Sequence, residues 1–211
     1  METAGTQELS SCLGVQMKLQ PESGPASDVQ NELAGLERDA TRLRYFLPAI
    51  PTGLIQTPEY MRHVMTQTSA SATRDVDRVI ARKLERQAVL DDLDKEFEFV
   101  LTESAIRWQL CEAAVMTRQI EHLVFLSHRP NVDLKVLPLS ARVPEIPFNT
   151  FTVYDTTLAT LEVFTGRVVL REVKDVEHYS RLFDAFADHA YTDDAARQLL
   201  DNWSEFSSAS G

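Results

Sequence analysis

The stretch Pro51-Thr-Gly-Leu-Ile-Gln-Thr-Pro-Glu-Tyr60 constrains this chain more than any other. Pro48 and Pro51 stop whatever helix precedes it, because proline lacks an N–H and its ring clashes with the preceding turn. Gly53 permits a turn, and Leu54 and Ile55 supply apolar anchors. Thr57 reads as an N-cap, with Pro58 at the first helical position and Glu59 favourable to the helix dipole. A fold that accepts this segment must bring a chain break, an apolar step and a helix start together.

Before it, Leu33, Leu36, Ala40 and Leu43 recur at amphipathic-helix spacing, which predicts a helical run from Leu33 to Phe46. After it, Met61, Val64 and Met65 give a short helix its buried side. A polar linker, 66–73, leads to a helix over 74–93 with Val76, Ile80, Leu84 and Ala88 on one face. Phe97, Phe99 and Leu101 alternate as a strand, and Thr102-Glu103-Ser104 caps another helix. A helix follows over 113–127, then a strand through Val132, Leu134 and Val136 that Pro138 stops. Strands are expected near 148–154, 158–164 and 168–170. Two helices close the chain, one on Val176, Tyr179, Phe183 and Phe186, the other capped at Thr192 and burying Ala196, Leu199, Leu200 and Trp203.

Residues 1–30 contain Gln20-Pro-Glu-Ser-Gly-Pro-Ala-Ser27, a composition that buries too little apolar surface to offset its ordering entropy. They read as a disordered arm, with a weak strand alternation at Val15, Met17 and Leu19. Residues 31–211 read as a single domain. Its expected class is α+β (mixed α/β): about four strands, mostly in the second half, covered by five to seven helices.

The chain carries 32 acids against 21 bases, a formal net charge of −11. That field repels nucleic acid, whose non-specific affinity comes from Lys and Arg neutralising phosphates. The densest basic cluster is Arg78, Arg82, Lys83 and Arg86, interleaved with Asp75, Asp77 and Glu85, the pattern of a solvated helix face. No apolar run approaches the ~20 residues of a membrane helix, and the N-terminus lacks the regions of a secretory signal. Two cysteines, Cys12 and Cys111, make no disulfide framework, so a reducing cytoplasm is expected.

Few residues are candidates for chemistry. Glu103 opens a helix after a strand; it is either a pocket carboxylate able to act as an acid or base, or a helix acid stabilised by the dipole. Gln56 and Thr57 adjoin Leu54 and Ile55, where they line a pocket or simply cap a helix. Gln56, Tyr60 and Glu103 form the candidate ligand set; Gly53, Thr57, Arg86 and Pro138 are the structural candidates, Arg86 as an ion-pair residue within the fold. His63, His122, His128, His178 and His189 show no i,i+4 pair, and no CxxC accompanies them, so neither metal nor cofactor is expected. Cys111 has no nucleophile context.

Several blocks, in order, resemble the C-terminal domain of actinobacterial antitoxin-like transcriptional regulators, in which an XRE-type helix-turn-helix precedes a domain of unknown function. They are Leu36-Glu-Arg-Asp-Ala-Thr-Arg-Leu-Arg44, Gly53 to Tyr60, Arg82-Lys-Leu-Glu-Arg-Gln-Ala-Val-Leu90, Val100 to Arg107, Gln119-Ile-Glu-His-Leu123 and Arg129 to Pro138. The chain departs from the family pattern at Thr52, which separates Pro51 from Gly53, and at Trp108-Gln-Leu-Cys-Glu112, where a glycine turn is usual. About thirty residues precede the matched region, too few for a helix-turn-helix.

The resemblance therefore implies a non-catalytic regulatory module. It would sense a small-molecule effector, contact a regulator protein or its own copy as a homodimer, and not bind DNA itself. The alternatives are an enzyme on the same scaffold, a cyclase or isomerase with Glu103 as acid or base, and a truncated regulator.

Overall fold

A computed structural model describes residues 8–9, 17–21, 26–67, 76–164 and 166–209. Among them are eight strands: β1 (Glu8–Leu9), β2 (Met17–Pro21), β3 (Arg42–Leu47), β4 (Glu96–Thr102), β5 (Val132–Leu137), β6 (Phe151–Tyr154), β7 (Leu158–Val163) and β8 (Gly166–Leu170). Seven helices accompany them: α1 (Ala26–Asp39), α2 (Pro58–Gln67), α3 (Val76–Gln87), α4 (Glu103–Arg107), α5 (Ala113–Leu126), α6 (Val173–Ala187) and α7 (Asp193–Ala209). The strands make one mixed sheet in the order β1-β2-β8-β7-β6-β3-β4-β5. The α+β class is as expected; the sheet is larger and reaches into the first half.

Strands β3, β4 and β5 are parallel neighbours, so each junction needs a crossover, supplied first by α2 and α3 and then by α4 and α5. The remaining pairings are antiparallel. Both faces of the sheet are covered. On one, Leu43, Phe97, Phe99 and Leu134 pack with Ile120 and Leu123 of α5 and Leu200 and Trp203 of α7. On the other, Phe46, Val100, Val153 and Val168 pack against Val176, Phe183 and Phe186 of α6. Covered on both sides, β3 is buried from Leu43 to Leu47, with Arg44 among the buried residues.

Three expectations need correction. The helical run ends at Asp39, not Phe46, and Leu43 lies in β3. Asp155, in the left-handed region at φ 49°, accepts hydrogen bonds from Thr41 N and Arg42 N at 3.1 and 2.8 Å and pulls the chain into the strand. Lys95 Nζ also donates to Arg38 O (2.7 Å) and Ala40 O, holding the carbonyls at the end of α1. The buried face of α3 is Val79, Ile80 and Arg86, and Leu84 is exposed, so the expected stripe is rotated. Elements also begin upstream of residue 31: β2 pairs with β8, and α1 starts at Ala26. Cys12, Val15 and residues 68–75 lie outside the described residues.

Candidate functional site

Register across the antiparallel half of the sheet puts polar side chains under the helices. Tyr45 of β3 pairs with Thr152 of β6, which pairs with Thr160 of β7; Arg167 of β8 lies opposite Glu162 of β7. Their strand neighbours Phe46, Phe151, Val153, Ala159, Leu161 and Val168 face α6. Alternation therefore sends the polar set to the face covered by α1, α2 and α3. There a cavity of about 330 Å³ lies between that floor and walls from α1, α2, α3 and the 50–56 loop.

The best-buried charges in the wall are an ion pair. Arg86 Nε of α3 lies 3.0 Å from Glu37 Oε2 of α1, and the two side chains are 4% and 1% exposed. The pair is close but not aligned as a hydrogen bond, since neither atom has a hydrogen-bond partner. Tyr45 donates its hydroxyl to Glu37 Oε1 (3.1 Å), and Arg86 Nη1 donates to Gln30 Oε1 (2.5 Å). Burial lifts the Glu37 carboxyl to about 7, outweighing the opposing pull of Arg86, the Tyr45 hydroxyl and Arg167. Burial, first, and then the Glu37 charge push the Tyr45 phenol well up.

A carboxyl held above its unfolded value of 4.5 binds its proton more tightly in the folded state. Its contribution to stability is thus complete below about 4.5 and is lost as pH rises through about 7. The groups facing it are Arg86, Tyr45, Arg167 and Tyr154. Urea unfolding from pH 4.5 to 7 is expected to show wild type losing stability relative to Glu37→Gln as pH rises, by roughly 1 kcal/mol per unit at the steepest point. A difference that stays flat or has the opposite slope contradicts the raised value.

The Pro51–Tyr60 segment is held to this wall by two glutamines. Gln87 Nε2, on α3, donates to Gly53 O (2.9 Å) and Gln56 O (2.8 Å). Gln119, on α5, accepts from Thr57 N and donates to Ile55 O, both at 2.7 Å. The segment itself makes a 3-10 turn, Gly53–Ile55. A Cβ at Gly53 would meet Arg86 Nη2 at 3.2 Å, so glycine lets the guanidinium lie against the backbone. Gln119→Leu is expected to strand two backbone groups, Thr57 N and Ile55 O, and to cost about 2 kcal/mol or more in denaturant unfolding. A cost near zero contradicts the clamp.

The sequence candidates separate in space. Gln56 is buried at the cavity; its Nε2 donates to Pro51 O (2.7 Å) and its Oε1 has no partner. Gly53 and Arg86 also line the cavity. Thr57 lies beside it, its Oγ1 accepting from Tyr60 N at 3.3 Å. Tyr60 points elsewhere, into a cluster with Val115 and Met116, where its hydroxyl is unpartnered and burial raises its pKa.

Glu103 is not in the cavity. It pairs with Arg107 and accepts from Leu139 N at 3.0 Å, both ties within the fold. Pro138 ends β5, its carbonyl accepting from Ala141 N at 3.0 Å. In the basic cluster, Arg82 pairs with Glu85 and Asp77 with Arg62, while Lys83 and Arg86 reach the cavity. Sequence reading missed Glu37, Tyr45, Thr152, Tyr154, Thr160 and Arg167 there. Glu37 and Arg86 carried a usable signal: each holds a core phase of its helix, at Leu33-Glu37-Ala40 and Val79-Lys83-Arg86-Leu90.

Fold and cavity together define an α+β domain with a mixed sheet covered on both faces and a polar-floored cavity beneath one helical layer. The chain belongs to the family described as Domain of unknown function (DUF5753), whose model matches residues 30–202. No curated protein matches it. Among solved structures it is similar to the phospholipase D family member Nuc from Salmonella typhimurium, at 8% identity and TM-score 0.47, covering 84% of this chain and 98% of that one. NucT from Helicobacter pylori is similar at 11% and 0.45, with coverage of 84% and 98%. TrmBL2, an archaeal chromatin protein whose structure shows a novel mode of DNA binding, is similar at 7% and 0.42, with 86% and 56% covered. These likenesses are too loose to bear on function. Among the described residues, no helix is long and apolar enough to cross a membrane.

Proposed function

We propose that this chain is a non-catalytic regulatory module that holds a small-molecule effector in the cavity and signals its presence to a partner. It does so as a relative of the C-terminal domain of actinobacterial antitoxin-like regulators of the XRE type. The partner is a regulator protein or a second copy of the chain. The observation that carries this reading is the meeting of three resemblance blocks at one place. Gly53 and Gln56 of the first block line the cavity, Arg82 to Leu90 supplies Lys83 and Arg86, and Gln119 braces Ile55 and Thr57 from behind.

The cavity favours holding over reacting. Its described lining contains no histidine, cysteine or serine, and Glu37 is tied by the Tyr45 hydroxyl at one oxygen and by the ion pair with Arg86 at the other. The β5–β6 connection adds a surface for protein contact, with Leu139, Ile146 and Phe148 each more than 65% exposed. The net charge of −11 supports action through a partner and not on DNA.

The enzyme reading keeps one supporting observation, the Glu37 carboxyl near 7, where a general base is most effective. Glu103, tied to Arg107 and Leu139, lends it none. Native mass spectrometry of the gently purified chain is expected to show a small molecule above the 23.8 kDa polypeptide, released on denaturation. The same sample should pass through a DNA column at physiological salt. Retention of a specific promoter by the isolated chain would overturn the reading.

A further inference from the structure

Arg167 is an exception among the buried charges. It is 5% exposed, it lines the cavity, and its Nε is buried without a partner. It makes no hydrogen bond or ion pair with any described residue, although it acts on Glu37 and Tyr154 through their fields. The carboxylate directly opposite it in the β-ladder, Glu162, has an exposed side chain and forms no ion pair with it. Arg86, by contrast, spends its charge on Glu37. A buried guanidinium with no counter-ion in direct contact costs several kcal/mol in general, and a ligand carboxylate would offset that cost.

The surroundings specify what it would take. Among the described residues, the charged side chains lining the cavity are Lys83, Arg86 and Arg167 against Glu37 and Glu162, three cations against two carboxyl groups, one of them raised to about 7. This excess sits in a chain whose net charge is −11. Thr152 and Thr160 are buried on the same floor, and hydroxyls of this kind donate to a bound anion. Leu33, Leu47, Ile50, Val64 and Val79 supply apolar wall. At about 330 Å³ the space lies at the small end of ligand cavities.

We infer that Arg167 anchors the carboxylate of a small organic acid, with the Thr152 and Thr160 hydroxyls beside it and the acid's apolar body against the helical wall. This rests on the reading of the cavity as a ligand site. The planar fork of a guanidinium suits a carboxylate in two-point contact. The described lining is net positive whether or not Glu37 is ionised, as an anion requires, and the apolar wall suits the body of an organic acid and not a free phosphate.

The test uses the full chain with benzoate, phenylacetate and hexanoate, each beside its primary amide, and with inorganic phosphate. Calorimetry and thermal shift are read on wild type, Arg167→Gln, Arg167→Lys and Thr160→Val. At least one acid is expected to bind wild type and raise Tm while its amide does not. Arg167→Gln should weaken that acid by roughly 10- to 100-fold, as for loss of a charged hydrogen-bond partner. Arg167→Lys should fall between, and Thr160→Val should weaken binding severalfold.

Without ligand, Arg167→Gln should melt at or above the wild-type temperature, because it removes a buried charge with no hydrogen-bonded or ion-paired partner among the described residues. A lower Tm combined with unchanged acid binding would show a structural arginine and overturn the inference. So would phosphate binding as tightly as the best acid. If amides bind wild type and Arg167→Gln as well as the acids do, the cavity remains a ligand site and only the anchor falls. If neither acids nor amides bind wild type, the inference fails for these probes, and the native mass of the gently purified chain then decides separately whether the cavity holds a ligand.

Discussion

Replacing Glu37 with leucine is expected to cost about 3–5 kcal/mol of folding stability at about pH 8.5, the usual consequence of removing one partner of a buried ion pair. The variant leaves Arg86, 4% exposed at its side chain, beside an apolar group, and the guanidinium cannot release its proton to escape. Tyr45 loses its acceptor at the same time. Arg86→Met differs in one instructive way. Glu37 already sits near 7, so the stranded carboxyl neutralises itself by taking a proton. The cost of Arg86→Met should therefore shrink below neutral pH while that of Glu37→Leu does not. Denaturant unfolding at two pH values checks both, and equal pH dependence of the two variants contradicts the ion-pair assignment.

Phe46→Ala is expected to cost a further class of contact, about 3–5 kcal/mol, as large-to-small changes in cores do. Phe46 is fully buried, stacked against Phe186 at 4.1 Å and Phe151 at 5.2 Å between ring centroids. Those partners sit on α6 and β6, so the loss would loosen the layer opposite the cavity. Chemical denaturation measures it directly. A cost below about 1 kcal/mol, typical of a surface position, would contradict the placement of Phe46 in a strand buried on both faces.

How far the sequence carried the reading differs from element to element, for physical reasons. Strands β4 to β8 were legible because apolar residues alternate or cluster between turn residues, and the caps at Thr57 and Thr102 carried their helices. Strand β3 was not. In Arg42-Leu-Arg-Tyr-Phe-Leu47 the alternation stops at Phe46, which the second covered face buries, while Leu43 falls in helical phase with Leu36 and Ala40.

The site was half legible. The loop wall, Gly53 to Gln56, stood out because prolines and a cap frame it. The floor did not, because Thr152, Thr160 and Arg167 alternate with apolar residues exactly as solvent-facing strand positions do; only the cover from α1 to α3 makes them interior. Glu37 and Arg86 sat in apolar stripes, where a charge signals either a partner across the fold or a ligand. Glu103 reads from sequence as either a pocket acid or a first-turn helix acid, and its ties to Arg107 and Leu139 are both local to the fold.

Methionine-methyl NMR separates the cavity from the rest of the core. Met65 lines the cavity, whereas Met116 packs with Tyr60 and Val115 in a distinct cluster. Titration of the full chain with the carboxylate panel is predicted to shift the Met65 methyl and leave that of Met116 in place. No shift at Met65 with any acid, or a shift confined to Met116, would contradict the assignment of this cavity as the functional site.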